Sequence, residues 1–518
     1  MLKKNSLFFL ISLFIFLMFL KIDYRLTNQL VCCGDDYDYY SHAETIALDF
    51  DFDYSNQNLG ESRFYRNDKS APIGFVGTGL FASPFLFIGN MLDILLNTSQ
   101  SSLNLKLLTY SYSSIFYLFF SCWLLEKCTG MMEISSNYTK LYVFGSGLVY
   151  YSFERYSMTP VYEVFTLSLL IFLVISLFVN GNQKINYLIP FVIMLGIMVR
   201  WTNYYLFFIP GLINSIFSLN KKNYIKIYTD YRFIISSIFS FTIFGLISKA
   251  IYGSYIFSPS YVYMEDEITT SIINSFLNNP FEYIINYLRN ILIILFSEEF
   301  GLFWFSSVIF LGFLLVVTSI IKQPRKKTLT KLVLLIIYLQ NFLVVSIWES
   351  TASSFGFRYL YSLIPISLLY VLIYENSNKL IKNYLIFFSL FNLVSVLFFE
   401  SNLATQLSVD PIINSFGQEV KYSQPHYLTG MLTALLDINS YIKIIGTSFI
   451  MLVALKATEV TLGSELIINT FQNFQFSNLK DIENLIISVQ NLNVRVLVVM
   501  LIYTAVLIYV FIYKKTSK

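Results

Sequence analysis

Seven acids crowd one short stretch of this chain: Asp35, Asp36, Asp38, Glu44, Asp49, Asp51 and Asp53. Elsewhere the sequence is so apolar that each isolated charge stands out, as do Lys69, Glu154, Glu163, Arg200, the pair Glu298-Glu299, and Arg358. Carboxylates set among guanidinium and ammonium groups suit a transfer reaction on an anionic, lipid-borne substrate. The acid takes a proton from an attacking hydroxyl, and the cations stabilise negative charge growing on a phosphate leaving group. His42 and His426 have no partner at ligand spacing, which speaks against a histidine metal centre. Adjacent aspartates could hold Mg2+ or Mn2+ through oxygen ligands, although two acids alone define no site. No Gly-rich phosphate loop is present.

The elements that carry these residues follow from composition. The 518 residues are 56% hydrophobic and 13% charged, with 51 Phe and 39 Tyr, which excludes a single soluble core under a polar skin. Mean hydropathy is +0.61. The expectation is an all-α, polytopic membrane protein. A net charge of +3 argues against a nucleic-acid partner, and the Lys and Arg residues cluster between apolar runs as the positive-inside rule requires. Cys32, Cys33, Cys122 and Cys128 lack the spacing of a zinc or redox motif.

The N-terminal run MLKKNSLFFLISLFIFLMFL reads as an uncleaved first span with Lys3 and Lys4 in the cytoplasm, sending the acidic loop outside. In that loop Tyr39, Ala43, Ile46 and Phe50 recur at helical spacing, and Asp38, His42, Thr45 and Asp49 keep the same rhythm on another face, predicting a short interfacial helix. A loop follows as far as Lys69 and Pro72. The Gly- and Pro-rich run after it is read as a span or a second juxtamembrane helix. Counting alternately from there yields about twelve transmembrane helices (11–13), counted from the apolar runs and basic clusters. This topology puts the isolated charges at the outer ends of spans or in outer loops. Charges gathered at one membrane face imply a shared aqueous cavity.

Several segments resemble a known group. GDDYDYYSHAETIALDFDFDYSN followed by KSAPIGFVGTGLFASPF is similar to the first outer loop of bacterial GT-C membrane glycosyltransferases, related to glycosyltransferase family 39 and the protein O-mannosyltransferase and aminoarabinose-transferase group. Asp35 with Tyr39, and Lys69 with Pro72-Ile73-Gly74, match the group's two juxtamembrane helix starts. GSGLVYYSFERYSMTPVYEVF, LGIMVRWTNYYLFFIP, LFSEEFGLFWFSS and SSFGFRYLYSLIP resemble later segments in order, from about residue 30 to 370. The chain departs from the group in having Asp36 where Gly usually follows the leading Asp, and Glu298-Glu299 where a basic residue is usual.

The resemblance implies transfer of a sugar from a polyprenyl-phosphate carrier to an acceptor hydroxyl on the extracytoplasmic face of the plasma (inner) membrane, with inversion. The residues supply parts compatible with that reaction: Asp35 or Asp36 as base, Lys69, Arg200 and Arg358 as phosphate partners, and Glu163 as a second acid orienting acceptor or sugar. Glu298 and Glu299 bear on acceptor or sugar choice. The acceptor is a glycan, lipid or protein. A catalytic transmembrane domain would span 1–400, its first outer loop at 22–102, and a C-terminal region 401–518 would add an outer-face segment and the last span. The competing readings are a multi-span transporter or lipid-linked-sugar flippase, and a glycan ligase or polymerase on the same scaffold.

Overall fold

A computed structural model describes residues 35–57, 63–66, 69–99, 104–134, 138–217, 226–255, 277–298, 300–323, 327–348, 355–375 and 378–399, then 412–413, 419–420, 427–438, 441, 449–463, 465–466, 487 and 489–512. Apart from two small antiparallel hairpins, the regular structure there is helical. Among the described residues, six helices are long and apolar enough to cross a membrane: Gly77–Leu96, Leu105–Met131, Pro160–Asn180, Tyr231–Tyr252, Thr328–Ser346 and Lys379–Val396. Shorter apolar helices accompany them at Gln183–Val199, Ser307–Lys322 and Val494–Tyr503. The chain is an all-α polytopic membrane protein.

The count of about twelve spans from sequence includes a first one in the N-terminal run at 1–20, which lies outside the described residues. It also treats as plain crossings some segments that are broken. The run after Tyr138 is three pieces, Thr139–Val143, a π turn Phe144–Leu148, and Val149–Phe153, interrupted where Gly147 takes φ 91°. Such breaks are tolerated at membrane depth only where protein covers the backbone, and the segment is buried from Leu141 to Phe153.

The acidic stretch is helical as its spacing predicts, over Asp35–Glu44 and a π turn Thr45–Asp49, ended by Phe50 in the left-handed region at φ 59°. The polar run expected as loop instead closes a hairpin, Arg63–Arg66 paired with Lys69–Pro72 in the register Arg66↔Lys69. The Gly- and Pro-rich run becomes one continuous helix, Gly77–Leu96, with Pro84 inside it. Proline removes the N–H that would reach the Leu80 carbonyl, and the Ser83 hydroxyl donates to that oxygen at 2.9 Å instead. Gly79 lets the acidic helix lie against this one, since a Cβ there would stand 2.4 Å from the His42 Cβ.

Asp93 anchors the next connection. Buried near the end of Gly77–Leu96, it accepts the N–H groups of Leu105 and Lys106, each at 2.7 Å, at the start of Leu105–Met131. An acid suits the positive end of that helix and satisfies donors that have no partner within it. Leu105–Met131 and Pro160–Asn180 form the centre of the core, joined by polar ties such as Ser113 Oγ to Tyr162 Oη at 2.7 Å. On Tyr231–Tyr252 a row of apolar side chains, Ile234, Ile235, Ile238 and Phe239, is exposed, as lipid-facing positions must be.

Candidate functional site

A cavity of about 270 Å³ lies where the acidic helix, the chain after Pro72, the start of Pro160–Asn180, the end of Leu188–Val199 and the turn at Arg358 meet. Asp38, Tyr39, Gly74, Thr159, Arg200, Arg358 and Tyr359 line it. Its polarity within so apolar a protein comes from helix ends, where backbone groups already require partners.

Arg200 terminates Leu188–Val199 in an extended conformation, and a tight turn of helix, Trp201–Phe208, follows. The cation therefore sits at a helix C-terminus, which favours positive charge. Glu163 lies in the first turn of Pro160–Asn180, which opens with proline, so its charge also suits its position. The two meet at 3.1 Å, Arg200 Nη2 to Glu163 Oε1, and Nη2 also donates to Thr159 Oγ1. Asn203 Nδ2 adds hydrogen bonds to the Gly196 carbonyl at 3.1 Å and to Glu163 Oε2 at 3.5 Å. The second terminal nitrogen of the Arg200 guanidinium, Nη1, is buried and meets no hydrogen-bond acceptor among the described residues.

Arg358 follows Gly356, whose φ of 66° turns the chain into the short helix Arg358–Leu363. Its guanidinium carbon stands 5.2 Å from the centre of the Tyr359 ring, and that of Arg200 stands 4.3 Å from the same ring. Two cations thus share one aromatic face system beside a cavity. Cation–π contact offsets part of their repulsion, and an anion between them would offset more.

The acids of the opening helix divide by position. Asp35 begins the helix, and its side chain lies outside the described residues. Asp36 is buried and paired with buried Arg155, Oδ2 to Nη2 at 2.9 Å. Asp38, which the spacing assigned only to a helix face, is the one that lines the cavity, and its Oδ2 accepts the Gly74 N–H at 3.2 Å. Of the expected set, the structure thus brings together Arg200, Glu163 and Arg358 with Asp38. Lys69 is exposed on the hairpin and is not among the cavity-lining residues. Glu298 is exposed, with its backbone carbonyl accepting the Leu428 N–H at 3.3 Å, and Glu299 lies outside the described residues.

Behind Asp38, one helical turn on, His42 is fully buried. Its Nε2 is 2.7 Å from the Gly74 carbonyl and its Nδ1 2.6 Å from the Tyr54 hydroxyl. A carbonyl only accepts, so Nε2 carries the proton and Nδ1 accepts from Tyr54. Burial pushes the imidazole pKa down to about 4, keeping it neutral. The shared face of Asp38 and His42 was visible in the sequence, whereas their common partner, Gly74, lies 32 residues beyond His42. No local periodicity could indicate it.

Among the described residues no three His, Cys, Asp or Glu side chains gather as a metal site. The sequence matches no protein family model and no curated protein. The fold is similar to the apo crystal structure of the oligosaccharyltransferase of Archaeoglobus fulgidus, with a TM-score of 0.37 and 13% identity, over 89% of this chain and 59% of that one. This chain therefore spans less than two thirds of the length of that protein, and no residue role is transferred at such distance.

Proposed function

We propose that the protein is a GT-C type membrane glycosyltransferase that moves a sugar from a polyprenyl-phosphate carrier to an acceptor hydroxyl. The observation that carries this reading is the cavity in which Asp38 and two arginines are gathered, one of them with a buried N–H group that meets no acceptor among the described residues. Arg200 and Arg358 hold the phosphate of the lipid donor. A carboxylate of the Asp35-Asp36-Asp38 run takes the proton from the acceptor hydroxyl, and Asp38 has the position for it. The oxygen so activated attacks the anomeric carbon from the side opposite the phosphate, the carbon–oxygen bond to phosphate breaks, and the configuration inverts. The polyprenyl phosphate leaves with its charge stabilised by the guanidinium groups. Glu163 holds Arg200 in place and balances its charge. Lys69, outside the cavity lining, has no part in this scheme.

The site lies on the extracytoplasmic side of the plasma membrane in this reading, with a glycan, lipid or protein as acceptor. Purified protein in proteoliposomes, given a radiolabelled polyprenyl-phosphate sugar and a lysate of acceptors, should form a new glycosidic bond. Movement of label across the bilayer with no new bond would instead identify a transporter.

A further inference from the structure

We propose that His42 is a positioning residue for the base: by holding the Gly74 carbonyl through Nε2, it fixes the Gly74 N–H that orients the Asp38 carboxylate in the cavity. The inference rests on the reading of Asp38 as the base. Asp38 and His42 stand one turn apart on the same helix and grip the two polar groups of a single residue, at 3.2 Å and 2.7 Å. Both ring nitrogens of His42 are occupied and the ring is fully buried, so it exchanges no proton with substrate or solvent. Its role is therefore geometric.

Three further contacts make the grip specific. Tyr54 donates to Nδ1, stands edge-on to the imidazole with centroids 5.2 Å apart, and so selects the tautomer whose Nε2 donates. The Tyr252 hydroxyl shares its one proton between the Gly74 and Pro72 carbonyls, each at 3.3 Å. A Cβ at Gly74 would stand 2.8 Å from the Tyr39 ring that also lines the cavity, so any side chain there would have to displace that ring. The Gly74 backbone is thus held by a side chain on the acidic helix and by one on Tyr231–Tyr252, and Asp38 takes its orientation from that backbone.

The test compares full-length wild type with His42→Leu, His42→Gln and Tyr54→Phe. His42→Leu removes both bonds, His42→Gln keeps an N–H donor at the reach of Nε2, and Tyr54→Phe removes only the tautomer-selecting donor. Misplacing a base by about 1 Å costs up to about 100-fold, so His42→Leu should lower kcat by about 10- to 100-fold. KM for the lipid donor should change by less than about threefold, because the arginines are untouched. His42→Gln should recover most of kcat. In parallel, hydrogen exchange at the Gly74 amide, read without any turnover, should quicken in His42→Leu and return toward wild type in His42→Gln. Unchanged kcat and unchanged Gly74 exchange in His42→Leu would overturn the proposal, as would equal impairment of His42→Leu and His42→Gln. Where His42→Leu does not fold, Tyr54→Phe decides: lower kcat at constant KM supports the proposal and unchanged kcat overturns it. If wild type transfers no sugar, the glycosyltransfer reading fails, and the exchange data then judge the positioning alone.

Discussion

At the scale of single residues, two neighbouring aspartates have different fates, and substitution should separate them. Asp36 is paired with Arg155 in a buried environment, so Asp36→Asn leaves a guanidinium without its countercharge. Breaking such a pair costs about 3–5 kcal/mol, and Asp36→Asn should lower the melting temperature in detergent sharply. Asp38→Asn keeps the acceptor oxygen for the Gly74 N–H and should melt close to wild type while losing proton-accepting power. Arg358→Ala should raise KM for the lipid donor by about 10-fold or more, since a phosphate loses a charge-assisted partner, with a smaller effect on melting because the side chain is only half-buried. Arg200→Gln should instead damage both, because Glu163, 3.1 Å away and buried, is left unpaired.

At the scale of elements, the acidic helix is held by contact with Gly77–Leu96 at Gly79. A larger residue there meets His42 and the Ala43 backbone, so Gly79→Val should destabilise by about 1–3 kcal/mol and loosen Asp38 with it, measured as faster exchange of the Asp35–Glu44 amides. The same elements show what was readable in advance. Periodicity located the acidic helix, and the apolar runs located long helices such as Leu105–Met131 and Pro160–Asn180, because apolar spacing reflects burial directly. It did not reveal the Arg63–Arg66 hairpin, which has no apolar alternation to announce it. Nor could it separate a juxtamembrane helix from Gly77–Leu96, whose glycines and Pro84 are accommodated by contacts with other parts of the chain and by Ser83. In the site, Arg200, Glu163 and Arg358 were legible because a charge in an apolar chain demands a reason. Asp38 and Arg155 were not, because choosing among clustered acids requires knowing which ones other segments neutralise.

At the scale of the whole molecule, the buried histidine links stability to pH. His42 titrates near 6.5 when unfolded and at about 4 when folded. The contribution of His42 to stability is therefore fully present above about pH 6.5 and is lost as pH falls toward 4, by an amount on the order of 3 kcal/mol, because in that window only the unfolded chain takes up its proton. Melting curves in detergent between those pH values should show the decline, and His42→Gln should show less of it. The molecule as a whole is a helical membrane scaffold that gathers Asp38, Arg200 and Arg358 around one cavity. The most direct test is glycosidic bond formation from a polyprenyl-phosphate sugar by wild type and Asp38→Asn, each saturated with the lipid donor. The account predicts bond formation by wild type and a fall of about 100-fold or more in Asp38→Asn with donor binding retained; full activity in Asp38→Asn would contradict it.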